Sequence, residues 1–450
     1  MPHSQSSPQS SDIKQDKMLK IAHEVLSHYR DDQMDISYCL EEDDFYLYQM
    51  GVWAKTMEVP ILSRATGYVP QLLKFPFFTR RQVIENLKLL NYNNLSDFNN
   101  AKLMNLENAM VDPITGESYP HGKDYLSTIR IPYRYTKDAT CELWLKTLSE
   151  ILENNQDKID LLQEFFGYCL TNDVRHKKAL LLLGESDSGK STILNVLRDM
   201  LGHENAASVP LKYLSNQQYT PMLVGKLANI DPDVGRDAVN FEPDFKIITS
   251  GEPVNCNQKY TKTFTFIPVC KIVLAANIFP NITDHSSAFY TRLIIVPCDR
   301  VFGESEKDRD LSKKLKLELP GVLNWSIEGL RRLNARGYFD IKGFSVDAVQ
   351  ELRELNNPID LFIKDHIAVE NDEQIAKDEL YNIYKQWCLQ SQVGALSCIR
   401  FNKVIYTKFL KHTEKDSRSS IGDRPRIWRN LKLIRSVLPH KNMGWQDDNV

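Results

Sequence analysis

The chain has 450 residues, 42% apolar and 26% charged, with a formal net charge of −3. Such a length calls for two or three domains with real cores, and the near-even charge excludes a wholly basic coat for nucleic acid. No apolar run reaches membrane-spanning length, and none of the eight cysteines forms a C-x-x-C pair. No membrane partner is therefore expected, a zinc ribbon or redox motif is disfavoured, and a reducing cytoplasm, or a host's cytoplasm, suits the chain.

The Ser- and Gln-rich start, residues 1–17, has no signal-peptide core and reads as a disordered tail. Met18 to Tyr29 has helical spacing of apolar residues. Phe45–Tyr48 and Val52–Ala54 flank Met50-Gly51, a hairpin signature. Segments then alternate to about Tyr135 with no catalytic constellation, and His121 sits in a turn between Pro120 and Gly122. Residues 18–150 are expected to form a mainly helical domain. Trp144 to Leu170 reads as two helices that lead into the apolar strand Leu180–Leu183.

That strand opens the most specific signal in the chain. Gly184-Glu185-Ser186-Asp187-Ser188-Gly189-Lys190-Ser191 spells G-x-x-x-x-G-K-S, and an apolar-periodic helix starts at Thr192. Strand, glycine loop and helix make a phosphate-binding P-loop. Backbone N–H groups from Gly184 through Thr192, including those of Ser186, Asp187, Ser188 and Gly189, would cradle phosphate oxygens at the positive end of a helix. Lys190 would reach the β- and γ-phosphates of ATP, and Ser191 would hold Mg²⁺.

Strands and helices alternate onward to about Val301, the pattern of a three-layer α/β nucleotide-binding core. The run Leu223 to Val234 ends in Asp231-Pro232-Asp233, where one carboxylate would join Ser191 in the metal shell and one would orient the attacking water. Asp231 is taken for the metal, with the division of roles between Asp231 and Asp233 left open. Lys271–Ala276 ends in Asn277, an amide suited to sensing the γ-phosphate. Arg292 would act in trans as an arginine finger. Between these strands, Asn255 to Lys262 followed by Thr263–Phe266 suggests a hairpin whose tip carries Lys259 and Tyr260, with Lys262 behind. A cation beside an aromatic suits single-stranded nucleic acid.

Leu311 to Leu333 is helical, with Pro320 opening a second helix, and residues 151–340 are assigned to the ATPase. Past Ser345 come short helices, Val346–Leu355, Pro358–His366, Lys377–Ser391 and Ile399–Lys411, and then a basic ribbon-like stretch, Ser417–Leu433. From Arg400 to Lys441 there are twelve Lys and Arg against three acids, so residues 345–450 are expected to form a winged-helix-like module on duplex or forked DNA.

The order of these motifs resembles superfamily 3 helicases of the phage and plasmid primase-helicase type, related to the poxvirus primase-helicase. The matching residues are Gly184–Ser191, Asp231–Asp233, Ser250-Gly251-Glu252 through Lys259-Tyr260, Ala276-Asn277 with Pro280, and Arg292. Leu319–Trp325, the helix with Tyr381, Tyr384 and Trp387, and Gly51-Val52-Trp53 upstream are also similar. The resemblance implies an α/β fold with an AAA+-like core. It implies a homo-hexamer that hydrolyses ATP with Mg²⁺ between subunits and moves 3′-to-5′ on single-stranded DNA during replication of a phage, plasmid or other mobile element. Here Pro232 separates acids that are usually adjacent in the family, and Glu252 stands where Asp is frequent. The family's frequent N-terminal primase has no counterpart ahead of residue 18, so a separate primase or initiator is an expected partner. The alternative is an ATP-regulated origin-binding initiator without processive unwinding.

Overall fold

A computed structural model describes residues 10–235, 241–256, 263–280, 282, 287–391, 393–409 and 427–434. They fall into two units, residues 1–349 and 350–450.

The first unit opens with helix α1 (Ser10–Asp31), so residues 10–17 are helical rather than part of a tail. Its apolar stripe of Met18, Ile21, Ala22, Val25 and Tyr29 is buried, as a 3.6-residue period requires. Strands β1 (Asp35–Cys39), β2 (Asp44–Gln49) and β3 (Val52–Thr56) follow, then α2 (Glu58–Tyr68), α3 (Phe77–Leu90) and β4 (Tyr92–Asn93). The four strands form one sheet in the order β3-β2-β1-β4. The predicted hairpin is β2–β3, and its turn residues Met50 and Gly51 both have positive φ, 51° and 84°, the geometry that matches the twist of the flanking strands.

A second small sheet joins β5 (Met104–Asn105), β6 (Met110–Val111) and β7 (Ser118–Tyr119). The expectation of a mainly helical N-terminal domain is therefore corrected: this region carries two sheets. Strands of two residues leave no readable alternation, and the longer β1–β3 are packed on both faces, Ile36 and Phe45 in the core with α1–α3 and Cys39, Tyr46 and Trp53 against Phe98, which blurs their alternation.

The remainder of this unit holds α4 (Glu142–Ile151), α5 (Gln156–Cys169), β8 (Ala179–Leu183), α6 (Lys190–Leu201), β9 (Ala206–Ala207), β10 (Ala228–Asp231) and α7 (Glu242–Ser250). It continues with β11 (Val254–Cys256), β12 (Phe264–Phe266), β13 (Lys271–Ala276), α8 (Ser287–Tyr290), β14 (Leu293–Pro297), α9 (Leu311–Leu317) and α10 (Leu319–Arg336). Five strands form a parallel sheet in the order β14-β8-β13-β10-β9. Leu180, Leu182, Ile230, Val273, Ala275, Ile294 and Val296 join the core shared with α4, α5, α6 and α10. Leu181, Ile272, Leu274 and Ile295 alternate with them and are also buried. Both faces are thus covered, as parallel sheets require, and each buried Leu, Ile or Val among them contributes about 1.5–3 kcal/mol.

Helix α11 (Gly343–Asn356) spans the division between the units. The second unit contains α12 (Pro358–His366), β15 (Ile367–Ala376), α13 (Lys377–Gln390), α14 (Cys398–Lys408) and β16 (Ile427–Leu433). Strands β15 and β16 pair antiparallel, with a register shift between Val369 and Gln374. The helices match the sequence reading, but β15 does not appear in it: its run Glu370-Asn371-Asp372-Glu373 is polar and exposed and masks the strand.

Candidate functional site

The P-loop connects β8 to α6. Gly184 is irreplaceable on steric grounds, because a Cβ there would collide with the Cys298 carbonyl oxygen. Gly189 has φ +85°, and a Cβ would lie 2.6 Å from Ile151 Cγ1. The loop is therefore pressed between the end of β14 and the end of α4. Two remote groups fix those supports. The Glu318 carboxylate accepts the Leu143 and Trp144 N–H groups at 3.0 and 2.9 Å, capping the start of α4. The buried Lys158 on α5 donates to the Pro297 carbonyl at 2.8 Å and to Asp299 at 2.9 Å, holding the turn after β14.

Lys190 is buried, and its ammonium donates to the carbonyl oxygens of Gly184 (2.7 Å) and Glu185 (2.5 Å) and to Ser188 Oγ (3.1 Å). Burial lowers its pKa, opposed by the nearby Asp233 and Asp187 carboxylates. Burial also pushes the Cys298 thiol up to about 12, so it is neutral beside the lysine. Ser186, Asp187 and Ser191 are exposed, Thr192 is half-buried and Ser188 is buried. Asp187, with φ 60°, pairs with Lys307 at 3.1 Å and accepts the Phe302 N–H at 3.0 Å.

Strand β13 lies between β8 and β10, so the P-loop and the Asp-Pro-Asp segment flank Asn277. The Asn277 amide nitrogen is 3.5 Å from Ser186 Oγ. The two aspartates differ sharply. Asp231 is buried, and its oxygens accept the Leu211 N–H at 2.7 Å and the Asp233 N–H at 3.4 Å. Burial raises its pKa against those two bonds. Asp233 is exposed, and its charge acts on Lys190.

Arg292 stands elsewhere. It precedes β14, whose first residue Leu293 pairs with Ala179, whereas the P-loop follows Leu183 at the far end of β8. Four residues of strand separate the two, about 13 Å at 3.3 Å per residue. The guanidinium donates to the Ala288 carbonyl and, at 2.9 Å, to Ser250 Oγ at the end of α7. Just beyond Ser250, β11 and β12 pair as the arms of the expected hairpin. Lys259, Tyr260 and Lys262 lie outside the described residues. Sequence reasoning missed Lys158, Glu318 and Lys307, and named Ser250 only within its motif without its bond to Arg292, since each acts through a partner distant in the chain. Lys158 stands in the polar first turn Gln156-Asp157-Lys158-Ile159-Asp160 of α5, where the sequence gives no sign of its burial.

Residues 24–153 match the D5 N-terminal-like family, and residues 182–292 match a family of unknown function, DUF5906. The chain is 22% identical over 348 residues to "Putative helicase 121R" of Invertebrate iridescent virus 3, covering 67% of this chain and 37% of that protein. It thus spans little over a third of that relative's length. The fold is also similar to an apo structure of the NrS-1 C-terminal region, with TM-score 0.59, 11% identity, 92% of this chain and 100% of that one covered. A second, A-form apo structure of that region gives TM-score 0.53 at 11% identity, covering 91% and 99%. These two likenesses concern the fold alone. No helix among the described residues is long and apolar enough to cross a membrane.

Proposed function

We propose that the chain is an ATP-hydrolysing DNA helicase of a phage, plasmid or other mobile element. It works as a ring of six copies that traps ATP between neighbours and moves 3′-to-5′ on single-stranded DNA. The supporting observation is the separation of Arg292 from the P-loop of its own chain by the length of β8. A guanidinium there can meet a triphosphate only on another copy. The viral relative that bears the helicase name, and the D5 N-terminal-like match, support the same reading.

In this reading residues 18–150 mediate assembly, 151–340 form an AAA+-like ATPase and 345–450 form a winged-helix-like module that holds forked DNA. The P-loop amides and Lys190 bind the phosphates. Ser191 and the exposed Asp233 would hold Mg²⁺. When bound, the ion would supply charge neutralisation at the phosphates. Asp231 has both oxygens engaged by backbone amides, so it positions the strand end and its loop. Asn277 orients the γ-phosphate or the water, and Arg292 of a neighbour stabilises the transition state. Catalysis is chiefly positioning and charge stabilisation. Lys259 and Tyr260 grip the strand, with Lys262 behind them.

The test is strand displacement on forked duplexes carrying either a 3′ or a 5′ tail, together with particle mass in the presence of an ATP analogue and single-stranded DNA. Hexamers that unwind only the 3′-tailed fork are expected, and Lys259→Ala should keep the hexamer and ATP binding but lose displacement. ATP-dependent assembly with no displacement on either fork would support the initiator instead.

A further inference from the structure

We infer that α14 is a duplex-DNA-binding helix, in which Arg400 and Lys403 take backbone phosphates and the strand pair β15–β16 does not carry the contact. This rests on the DNA-handling reading above and names the element and the form of DNA. One face of α14 is fixed in the second unit's core. Phe401 and Ile405 are fully buried, and the Phe401 ring stacks on Tyr384 with centroids 4.6 Å apart. The turn that delivers the helix is pinned as well: Tyr381 Oη donates to the Leu396 carbonyl at 3.0 Å, and the Leu396 N–H donates to Tyr384 Oη at 3.3 Å. The opposite face therefore points outward on a rigid support. It exposes Arg400, Lys403 and Thr407 at one helical spacing, with Ile399 beside them at 84% exposure.

Charge chooses the occupant. Among the described residues neither Arg400 nor Lys403 makes an ion pair. Lys408, on the same helix, pairs with Asp360 at 2.6 Å. On the strand pair, Lys432 is held by Glu370 at 3.0 Å and Glu373 at 3.5 Å. The acidic residues of β15 thus cancel a cation of β16, and the uncompensated charge stands on the helix. The surrounding sequence has the same sign, with twelve Lys and Arg against three acids between Arg400 and Lys441. An α-helix fits the major groove, where Ile399 offers an apolar contact to a thymine methyl.

The test uses the full chain and a fluorescein-labelled 20-base-pair duplex of mixed sequence, followed by anisotropy across a salt series. Each lost phosphate contact should weaken binding about eightfold at ~0.1 M salt and make the log–log salt slope shallower by about one. The double variant R400A/K403A is expected to show both losses, Arg400→Lys with Lys403→Arg should bind as the unmodified chain does, and Lys432→Ala should leave binding unchanged. Wild-type affinity and slope in R400A/K403A would overturn the assignment, as would an equal loss in K432A or a change of particle mass with duplex binding intact. ATP turnover stimulated by single-stranded DNA is read in the same samples and should survive in every variant. If the unmodified chain shows no such turnover, the helicase reading fails, a result distinct from the failure of α14.

Discussion

The two ends of the five-stranded sheet are chemically opposite. At the end where β8, β10 and β13 finish, the loops present backbone N–H groups, an exposed carboxylate at Asp233 and an amide at Asn277, and α6 begins there. At the other end three cations are tied to backbone carbonyls and not to carboxylates. Lys178 donates to the Thr291 carbonyl at 2.6 Å, Arg292 to that of Ala288, and Lys271 to those of Thr171 and, at 3.1 Å, Val269. The cause is the polarity of a parallel sheet wound with helices. Helices start beyond the strands' carboxyl ends and finish before their amino ends, so unpaired N–H groups collect at one end and unpaired C=O groups at the other. One end attracts anions and the other stores cations.

Arg292→Ala should lower ATP turnover by about 10³-fold or more while sparing ATP binding, if the finger acts on a neighbour's triphosphate. Lys190→Ala at the opposite end should cost about 10²–10³-fold and weaken ATP binding as well. Mixing the two inactive variants sharpens the point. Boundaries that pair an intact P-loop from one copy with an intact Arg292 from another should regain turnover in a coupled phosphate-release assay. No recovery across mixing ratios would mean that the two ends do not complete each other's site.

Smaller effects probe the cation end itself. Lys271 is fully buried over the Tyr168 ring at 4.7 Å, and burial lowers its pKa to about 8 from 10.5. Below pH 8 both folded and unfolded chains carry the proton, and the fold bears the full cost of the buried charge. Between pH 8 and 10.5 the folded chain releases it first, so this cost fades as pH rises. The stability of the unmodified chain relative to Lys271→Met should therefore rise between pH 7.5 and 10 by on the order of 2 kcal/mol, read from paired denaturant titrations. A flat difference would mean that the ammonium stays protonated. The mildest change is Ser250→Ala, which removes one hydrogen bond to the Arg292 guanidinium. About a tenfold fall in turnover with unchanged ATP affinity is expected, from the ~1.5–3 kcal/mol typical of such bonds. Equal loss in basal and DNA-stimulated turnover would limit Ser250 to holding the finger; a selective loss of stimulation would tie it to the hairpin that begins four residues later at Val254.

Local order along the chain determined a good part of this protein. The P-loop needs its glycines, lysine and serine within eight residues between a strand and a helix, so the whole device is written contiguously. The turn at Met50-Gly51, the paired helices before β8 and the polar residues ending β10 and β13 are local in the same sense. Only the tertiary structure decided the rest. Strand order is a choice among pairings far apart in sequence, and it alone puts β13 beside β8 and sets Arg292 at the distant end. The difference between Asp231 and Asp233 depends on the Leu211 N–H, twenty residues away. The support of the P-loop depends on Cys298, Lys158 and Glu318. Spacing and composition encode what neighbours along the chain must do, whereas burial and hydrogen-bond partners are settled by which segments the core brings together.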